Sequence, residues 1–325
     1  MDKNNIKQEA ILTVSTIDIN YEDYTQSANT LFHFMSKMDF LKTALKNKCL
    51  DARYCIENIS YLGLKLNGEP INEIAVLQKC FCDIPLAMSA KRSKIKIQEI
   101  DLKKLSEKYI VNSERYQSHT DFYGEYGIGF SKQWAENKNI QPVQYLASCS
   151  QYTKNMSKVL QHLLNATDIS DIEFEDALMR FCFIKPLHGI MNRKLEFQRK
   201  DGSIEKDIDV SVEKNFHDEK EWRFVPKIED IHTIFPEEYP IIANKDSIFQ
   251  IHMDKEYLDR RINELAKKNV SSLPFEFDDI RYLIVPSQTQ KLDLINHIDS
   301  LDLSKEQKYL LCSKILTLDE IRKDI

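Results

Sequence analysis

Residues 213–226 read Glu-Lys-Asn-Phe-His-Asp-Glu-Lys-Glu-Trp-Arg-Phe-Val-Pro, and they set an acidic pair, Glu219 and Glu221, into a stretch that otherwise reads as a buried strand. In an extended chain successive side chains alternate between faces. Glu219, Glu221 and Arg223 are therefore expected to share one face, while Trp222, Phe224 and the aliphatic part of Lys220 take other directions. Two readings follow. In the first, this is a solvated edge strand carrying an intrastrand ion pair. In the second, Glu221 is a cleft carboxylate, backed by aromatic residues and used to stabilise a cationic reaction centre.

Working outward, the pattern upstream sharpens at residues 27–50. Leu31 to Met35 is a short apolar strand with His33 set inside it, and from Asp39 a helix follows with Phe40, Leu41, Ala44 and Leu45 at helical spacing. A lone histidine in an apolar strand is usually a satisfied core residue; this one stands just before a turn, where a strand end can present it to a ligand. Ala75 to Pro85 reads as a strand closed by an Asp-x-Pro turn. Residues 122–134 hold Gly124, Gly127 and Gly129, three of the seven glycines in the chain. Their G-x2-G-x-G spacing is not that of a phosphate loop, and a glycine-relieved strand that another backbone or a ligand approaches closely is the better reading.

Residues 150–181 are helical by period, with Met156, Val159, Leu160, Leu163 and Leu164 on one face and a second set at Phe174, Ala177, Leu178 and Phe181. After Pro240 the order is a strand at Ser247 to His252, a helix at Asp254 to Lys268, a strand at Ile280 to Val285, a helix at Gln288 to Leu301 and a last apolar segment at Ile315 to Leu318. Helices and strands without regular βαβ repeats predict an α+β fold rather than a doubly wound sheet. Residues 1–24 are expected to form an N-terminal arm, and 25–325 a single α+β domain with helical insertions near 89–118 and 150–181.

The chain has 325 residues, 42% hydrophobic and 30% charged, the composition of an ordinary soluble globular protein. No apolar run approaches a membrane span and residues 1–9 are polar, so a cytoplasmic location and no membrane partner are expected. A formal charge of −6 argues against a protein that coats nucleic acid. Lys91, Arg92, Lys94 and Lys96, continuing to Lys103 and Lys104, form one positive run, read as a solvated helix or loop face or as a local nucleic-acid footprint. The seven cysteines are odd in number and spread out. The spacing of Cys49, Cys55, Cys80 and Cys82 does not match zinc knuckles, so reduced thiols and no metal are expected.

Five motifs taken in order, Leu31-Phe-His-Phe with its following helix, Cys80-Phe-Cys-Asp-Ile-Pro-Leu, Tyr123-Gly-Glu-Tyr-Gly-Ile-Gly-Phe-Ser-Lys-Gln-Trp, Lys185-Pro-Leu-His-Gly and Phe216-His-Asp-Glu-Lys-Glu-Trp-Arg-Phe-Val-Pro, resemble the AbiGi family of abortive phage resistance proteins. That resemblance implies bacterial defence against phage, as the antitoxin-like member of a two-gene system, with a partner protein. A looser resemblance links the histidine strand, a tyrosine-bearing middle segment and the late Glu-x-Glu-Trp-Arg strand to the ADP-ribosyltransferase fold, including DarT-like toxins, and implies a split mixed sheet with helical insertions. Carried over to this sequence, it implies NAD as substrate, His33 as a contact to the nicotinamide-side ribose, Glu221 as the catalytic carboxylate, and one of Tyr54, Tyr123 or Tyr126 as the group stacked on nicotinamide. Glu219 would position or activate the acceptor, a nucleic acid or a protein. The alternative is a non-catalytic antitoxin or sensor that keeps the fold and binds a partner. On the transferase reading the strands of His33 and Glu221 are near neighbours in one sheet and both side chains open on the same cleft, so that placement on opposite faces of the sheet would remove the reading, and Glu221→Gln removes activity while leaving the melting temperature nearly unchanged.

Overall fold

The computed structural model describes residues 29–66, 68–111, 115–165, 179–234, 242–243 and 255–323. The expected N-terminal arm, the strand at 247–252 and most of the second apolar set at 174–181 lie outside these residues. The architecture is mixed α+β, as the element order predicts. Thr30–Met35 forms a strand buried on both faces, which places it inside a sheet. The helix Met38–Asn47 turns Met38, Leu41, Ala44 and Leu45 inward at helical spacing and stops at Lys48, which adopts a left-handed conformation.

Among the described residues nine strands make the main sheet. In spatial order they are Gln141–Pro142, Glu221–Phe224, Glu73–Cys82, Thr30–Met35, Tyr126–Ser131, Ile280–Val285 and Ile315–Thr317, with Arg53–Asn58 and Ile242–Ala243 also paired to Glu73–Cys82. All its pairings are antiparallel except Leu283 to Val285 with Ile315 to Thr317. The long central strand Glu73–Cys82 decides where the sheet opens. On one edge it pairs continuously with the glutamate strand, Glu221 opposite Cys82 and Phe224 opposite Lys79. On the other edge it meets the histidine strand only at Phe32 and Cys82, and the Arg53–Asn58 strand begins only at Gln78. Between those two partners the edge at residues 79–81 has no strand neighbour among the described residues, and the sheet is split there.

The glycine strand explains its own composition. Gly124 has φ +119 and a Cβ there would stand on the Met35 carbonyl, while Cβ atoms at Gly127 and Gly129 would come within 3.0 and 2.8 Å of the Phe34 and Phe32 rings. The expectation of a close backbone approach is met at Gly124. Ser131 then caps a short helix, Lys132–Asn137, and Trp134 on that helix stacks on Phe130 at 4.1 Å between ring centroids, in the larger apolar core.

Two segments differ from expectation. Residues 89–118 are not a helical insertion: they carry one eight-residue helix, Glu99–Ser106, and three strands of a second, five-stranded sheet built around the hairpin His188–Arg199 and Ile204–Asn215. Of the basic run, Lys103 and Lys104 lie on the helix, and Lys94 and Lys96 lie on one of those strands, Ser93–Ile97, where Ile95 and Ile97 point inward and the two lysines outward. Strand alternation gave these lysines one face, and helical periodicity over the window hid it. In the second segment, 213–226 is not one strand. The chain leaves the hairpin at Asn215, makes a 3-10 turn at Phe216–Glu219, reverses through Lys220 at φ 42 and only then becomes strand. Near 150–181 the helix Gln151–Asn165 is present. Among the described residues no helix is long and apolar enough to cross a membrane.

Candidate functional site at the sheet opening

A cavity of about 600 Å³ occupies the split. His33, Tyr123, Glu219 and Glu221 all line it, together with Phe34, Lys79, His119 and Lys185. Four separated stretches of sequence thus meet at one place. They do not share one face. Phe32 and Glu221 both stand opposite Cys82, so Glu221 has the parity of Phe32, and His33 has the other. His33 and Glu221 border a common cavity because the sheet is open between the histidine and central strands, but the register overturns the expected single shared face, and this outcome counts against the transferase reading that required it.

His33 fills the opening. Its Nδ1 lies 2.8 Å from the Cys80 carbonyl oxygen, an atom that can only accept, so Nδ1 carries the proton and Nε2 remains an acceptor. Its ring is 5.8 Å from that of Phe81. Burial, with help from nearby Lys79, pushes its pKa down to about 3, so the ring is neutral at physiological pH.

Glu221 sits in a buried chain of charges. Its Oε1 accepts from Arg223 Nε at 2.7 Å, and its Oε2 from Lys185 Nζ at 2.8 Å and Arg223 Nη2 at 3.2 Å. Arg223, fully buried, also donates to Glu57 at 2.6 Å and to the Cys182 carbonyl at 2.8 Å. Lys185 reaches Glu219 at 2.9 Å, Tyr123 donates its hydroxyl to Glu219, and Lys214 stands 3.7 Å from the same carboxylate. Burial alone would raise the Glu221 pKa. Arg223 and Lys185 outweigh it and hold the carboxyl well below the ordinary range. Of the two initial readings of this strand, the intrastrand Glu221–Arg223 pair is present, and solvation is not: Glu221 is 5% exposed and Arg223 0%. The turn at Lys220 takes Glu219 out of the strand alternation, and Lys185, placed between the two carboxylates, restores their proximity.

Tyr123 is the candidate tyrosine that lines this cavity. Its ring lies 4.5 Å from His119, which lies 5.5 Å from Phe34, forming an aromatic wall. Burial first, then Glu219, pushes the Tyr123 hydroxyl pKa up. Tyr54 packs elsewhere, against Ala75 and Leu258. Tyr126 donates its hydroxyl to Gln290 at 3.3 Å and borders a neighbouring cavity. Sequence reasoning assigned no role to His119, Lys185 or Glu57. His119 opens a short helix whose Ser118 and Asp121 form a capping box, an S-x-x-D signal that marks the helix and not the histidine. It forms no hydrogen bond among the described residues, and burial, then Lys214 and Lys185, pushes its pKa down to about 3. Lys185 was visible as a lone lysine in an apolar run.

The AbiGi family model, described as "Putative abortive phage resistance protein AbiGi, antitoxin", matches residues 111–286, a span that holds Tyr123, Lys185, Glu219 and Glu221. The chain is 30% identical over 285 residues to the abortive phage resistance protein AbiGi of Lactococcus lactis subsp. cremoris, covering 84% of this chain and 98% of that protein. No solved structure matches. The match across most of both chains, joined to the family model over the part that builds the charged side of the cleft, places this chain in the AbiGi family of abortive phage resistance proteins.

Proposed function

We propose that this protein acts in abortive defence against phage through the cavity at the sheet opening, that the cavity takes NAD, and that ADP-ribose is transferred from it to a nucleic acid or protein. The observation that carries this reading is the convergence of His33, Tyr123, Glu219 and Glu221 on one cavity of a size usual for small-molecule sites. Each group has a usable state. Neutral His33 offers Nε2 to a hydroxyl donor such as a ribose, Tyr123 and His119 offer ring faces to a planar base, and Glu221 stays ionised. In the reaction the bond between ribose C1′ and the nicotinamide nitrogen breaks, nicotinamide leaves with the electron pair, and an acceptor nucleophile closes on C1′ while Glu219 takes its proton.

A second reading has its own support. Three carboxylates, Glu57, Glu219 and Glu221, face three cations, Arg223, Lys185 and Lys214, so the site is balanced in charge, and His33 and Glu221 have opposite strand parity. A balanced, saturated network suits an antitoxin that holds a partner better than a carboxylate aimed at a developing cation. Incubation of the purified protein with NAD labelled in the adenylate, with and without extract from phage-infected cells, decides between them. Label in macromolecules together with free nicotinamide is expected. NAD left intact at stoichiometric enzyme, with extract present, refutes the transferase and leaves the partner-binding antitoxin.

A further inference from the structure

Three buried or nearly buried cations are met by carboxylates, Arg223 by Glu57 and Glu221, Lys185 by Glu219 and Glu221, and Lys132 by Asp83 at 2.7 Å, whereas Lys79 is half-buried. Lys79 departs from that pattern. It stands in the central strand on the open edge, with the parity of His33 and Phe81, and lines the cavity. It makes no ion pair or hydrogen bond among the described residues. Burial pushes its ammonium below the ordinary lysine range, with Asp51 acting in the other direction. The next strand contributes Arg53, exposed, also lining the cavity and also without an ion pair or side-chain hydrogen bond among the described residues. Asp51, which lines the same cavity and acts on Lys79 through its charge, accepts from the Ser272 hydroxyl at 2.5 Å and makes no ion pair with Lys79 among the described residues. Leaving an ammonium desolvated without a counter-charge is costly, and an anion from outside the chain removes the cost.

The charge therefore divides the cavity into two ends. On the side of Glu219 and Glu221, cations and carboxylates cancel. On the side of His33, Lys79 has only Asp51 of the lining carboxylates acting on it, and Arg53, which stands opposite Gln78 and so has the parity of Glu221, adds a second positive charge to the lining from the adjoining strand. We propose that this second end is an oxyanion site for the phosphate or pyrophosphate of a nucleotide whose sugar lies toward His33. The proposal rests on reading the cavity as a nucleotide site; it adds the group that anchors the ligand and the residues that hold it.

Calorimetric titration of the full chain with ADP, adenosine and inorganic pyrophosphate tests it, using Lys79→Met and Arg53→Met beside the wild type. ADP is expected to bind at least tenfold more tightly than adenosine. Lys79→Met is expected to lose tenfold or more of the ADP affinity with adenosine unchanged, as removal of one charge-assisted contact requires. Arg53→Met, at an exposed position where folding is not at stake, is expected to lose severalfold in the same direction. Lys79→Met without ligand is expected to melt no lower than the wild type, because it removes an unmatched charge. Pyrophosphate binding without adenosine discrimination identifies a free-phosphate site and overturns the nucleotide assignment. Equal ADP affinity in wild type and Lys79→Met, or no binding of any of the three, overturns the proposal. Lys79-dependent ADP binding by a protein that leaves NAD intact keeps this proposal and removes the transferase; NAD cleavage unaffected by Lys79→Met does the reverse.

Discussion

Glu221→Gln is the natural substitution for separating catalysis from binding, and the buried charge chain changes what it does. Gln keeps an oxygen that can accept from Arg223 Nε, now 2.7 Å from Oε1, but its amide nitrogen then stands where Oε2 accepts from Lys185 Nζ at 2.8 Å, donor against donor. Arg223 retains Glu57 and Lys185 retains Glu219, so two buried cations remain with one carboxylate removed. Breaking a buried pair by deleting one partner costs about 3–5 kcal/mol. At about 2 °C per kcal/mol for a chain of this size, the midpoint falls by about 6–10 °C. This replaces the sequence-based expectation of a nearly unchanged melting temperature, which assumed a carboxylate that holds nothing together. Thermal unfolding followed by near-ultraviolet circular dichroism measures it. Adding Lys185→Met to Glu221→Gln removes the opposed donor, and the double variant is expected to be less destabilised than the sum of the singles by about 1 kcal/mol or more. A Glu221→Gln protein melting within 1 °C of the wild type would refute the claim that Glu221 is structurally committed. Activity of this variant is to be compared only at temperatures where it is folded.

Two further expectations concern the same cavity. His33 and His119 both have pKa values pushed down to about 3 in the folded protein, against about 6.5 unfolded, so the unfolded chain binds more protons as pH falls. Their contribution is complete above pH 6.5 and is lost as pH falls toward 3; at pH 5 the two together cost about 4 kcal/mol, readable as a lower urea midpoint at pH 5 than at pH 7, and His119→Phe is expected to halve the difference. An unchanged urea midpoint would mean that neither histidine is held neutral. Gly124→Ala, with φ +119 and the Met35 carbonyl in the way, is expected to abolish soluble folded protein, while Gly63→Ala, at φ +62 with nothing within 4 Å, is expected to cost only about 1–2 kcal/mol by chemical denaturation.

What the sequence showed and what it concealed follow a physical division. The histidine strand, the glycine strand and the helices at 38–47, 255–267 and 288–300 were legible because each is announced by its own periodicity or composition. The turn at Phe216–Glu219 was not, because its reversal falls on Lys220, a residue type that seldom takes a left-handed conformation and so gives no signal. Extended alternation predicted that Glu219 and Glu221 would be close; they are close through Lys185, for a different reason. The roles of Glu57 and Lys185 were unseen, since both are defined by Arg223 and the two glutamates, across 166 and 36 positions of chain. The choice among Tyr54, Tyr123 and Tyr126 depended on which strand borders the opening, which no local pattern encodes.

The outer strands of the main sheet bear on how a protein partner can meet this one. One border is Gln141–Pro142, two residues long and ending in a proline that has no amide hydrogen to offer; the other is Ile315–Thr317, three residues long and running straight into the helix Leu318–Lys323. Neither can template an added strand. A partner that adds a strand to this sheet would therefore have to use the outer edge of Arg53–Asn58, which among the described residues pairs only with Glu73–Cys82, and substitutions that flatten or lengthen the two short borders are expected to promote self-association.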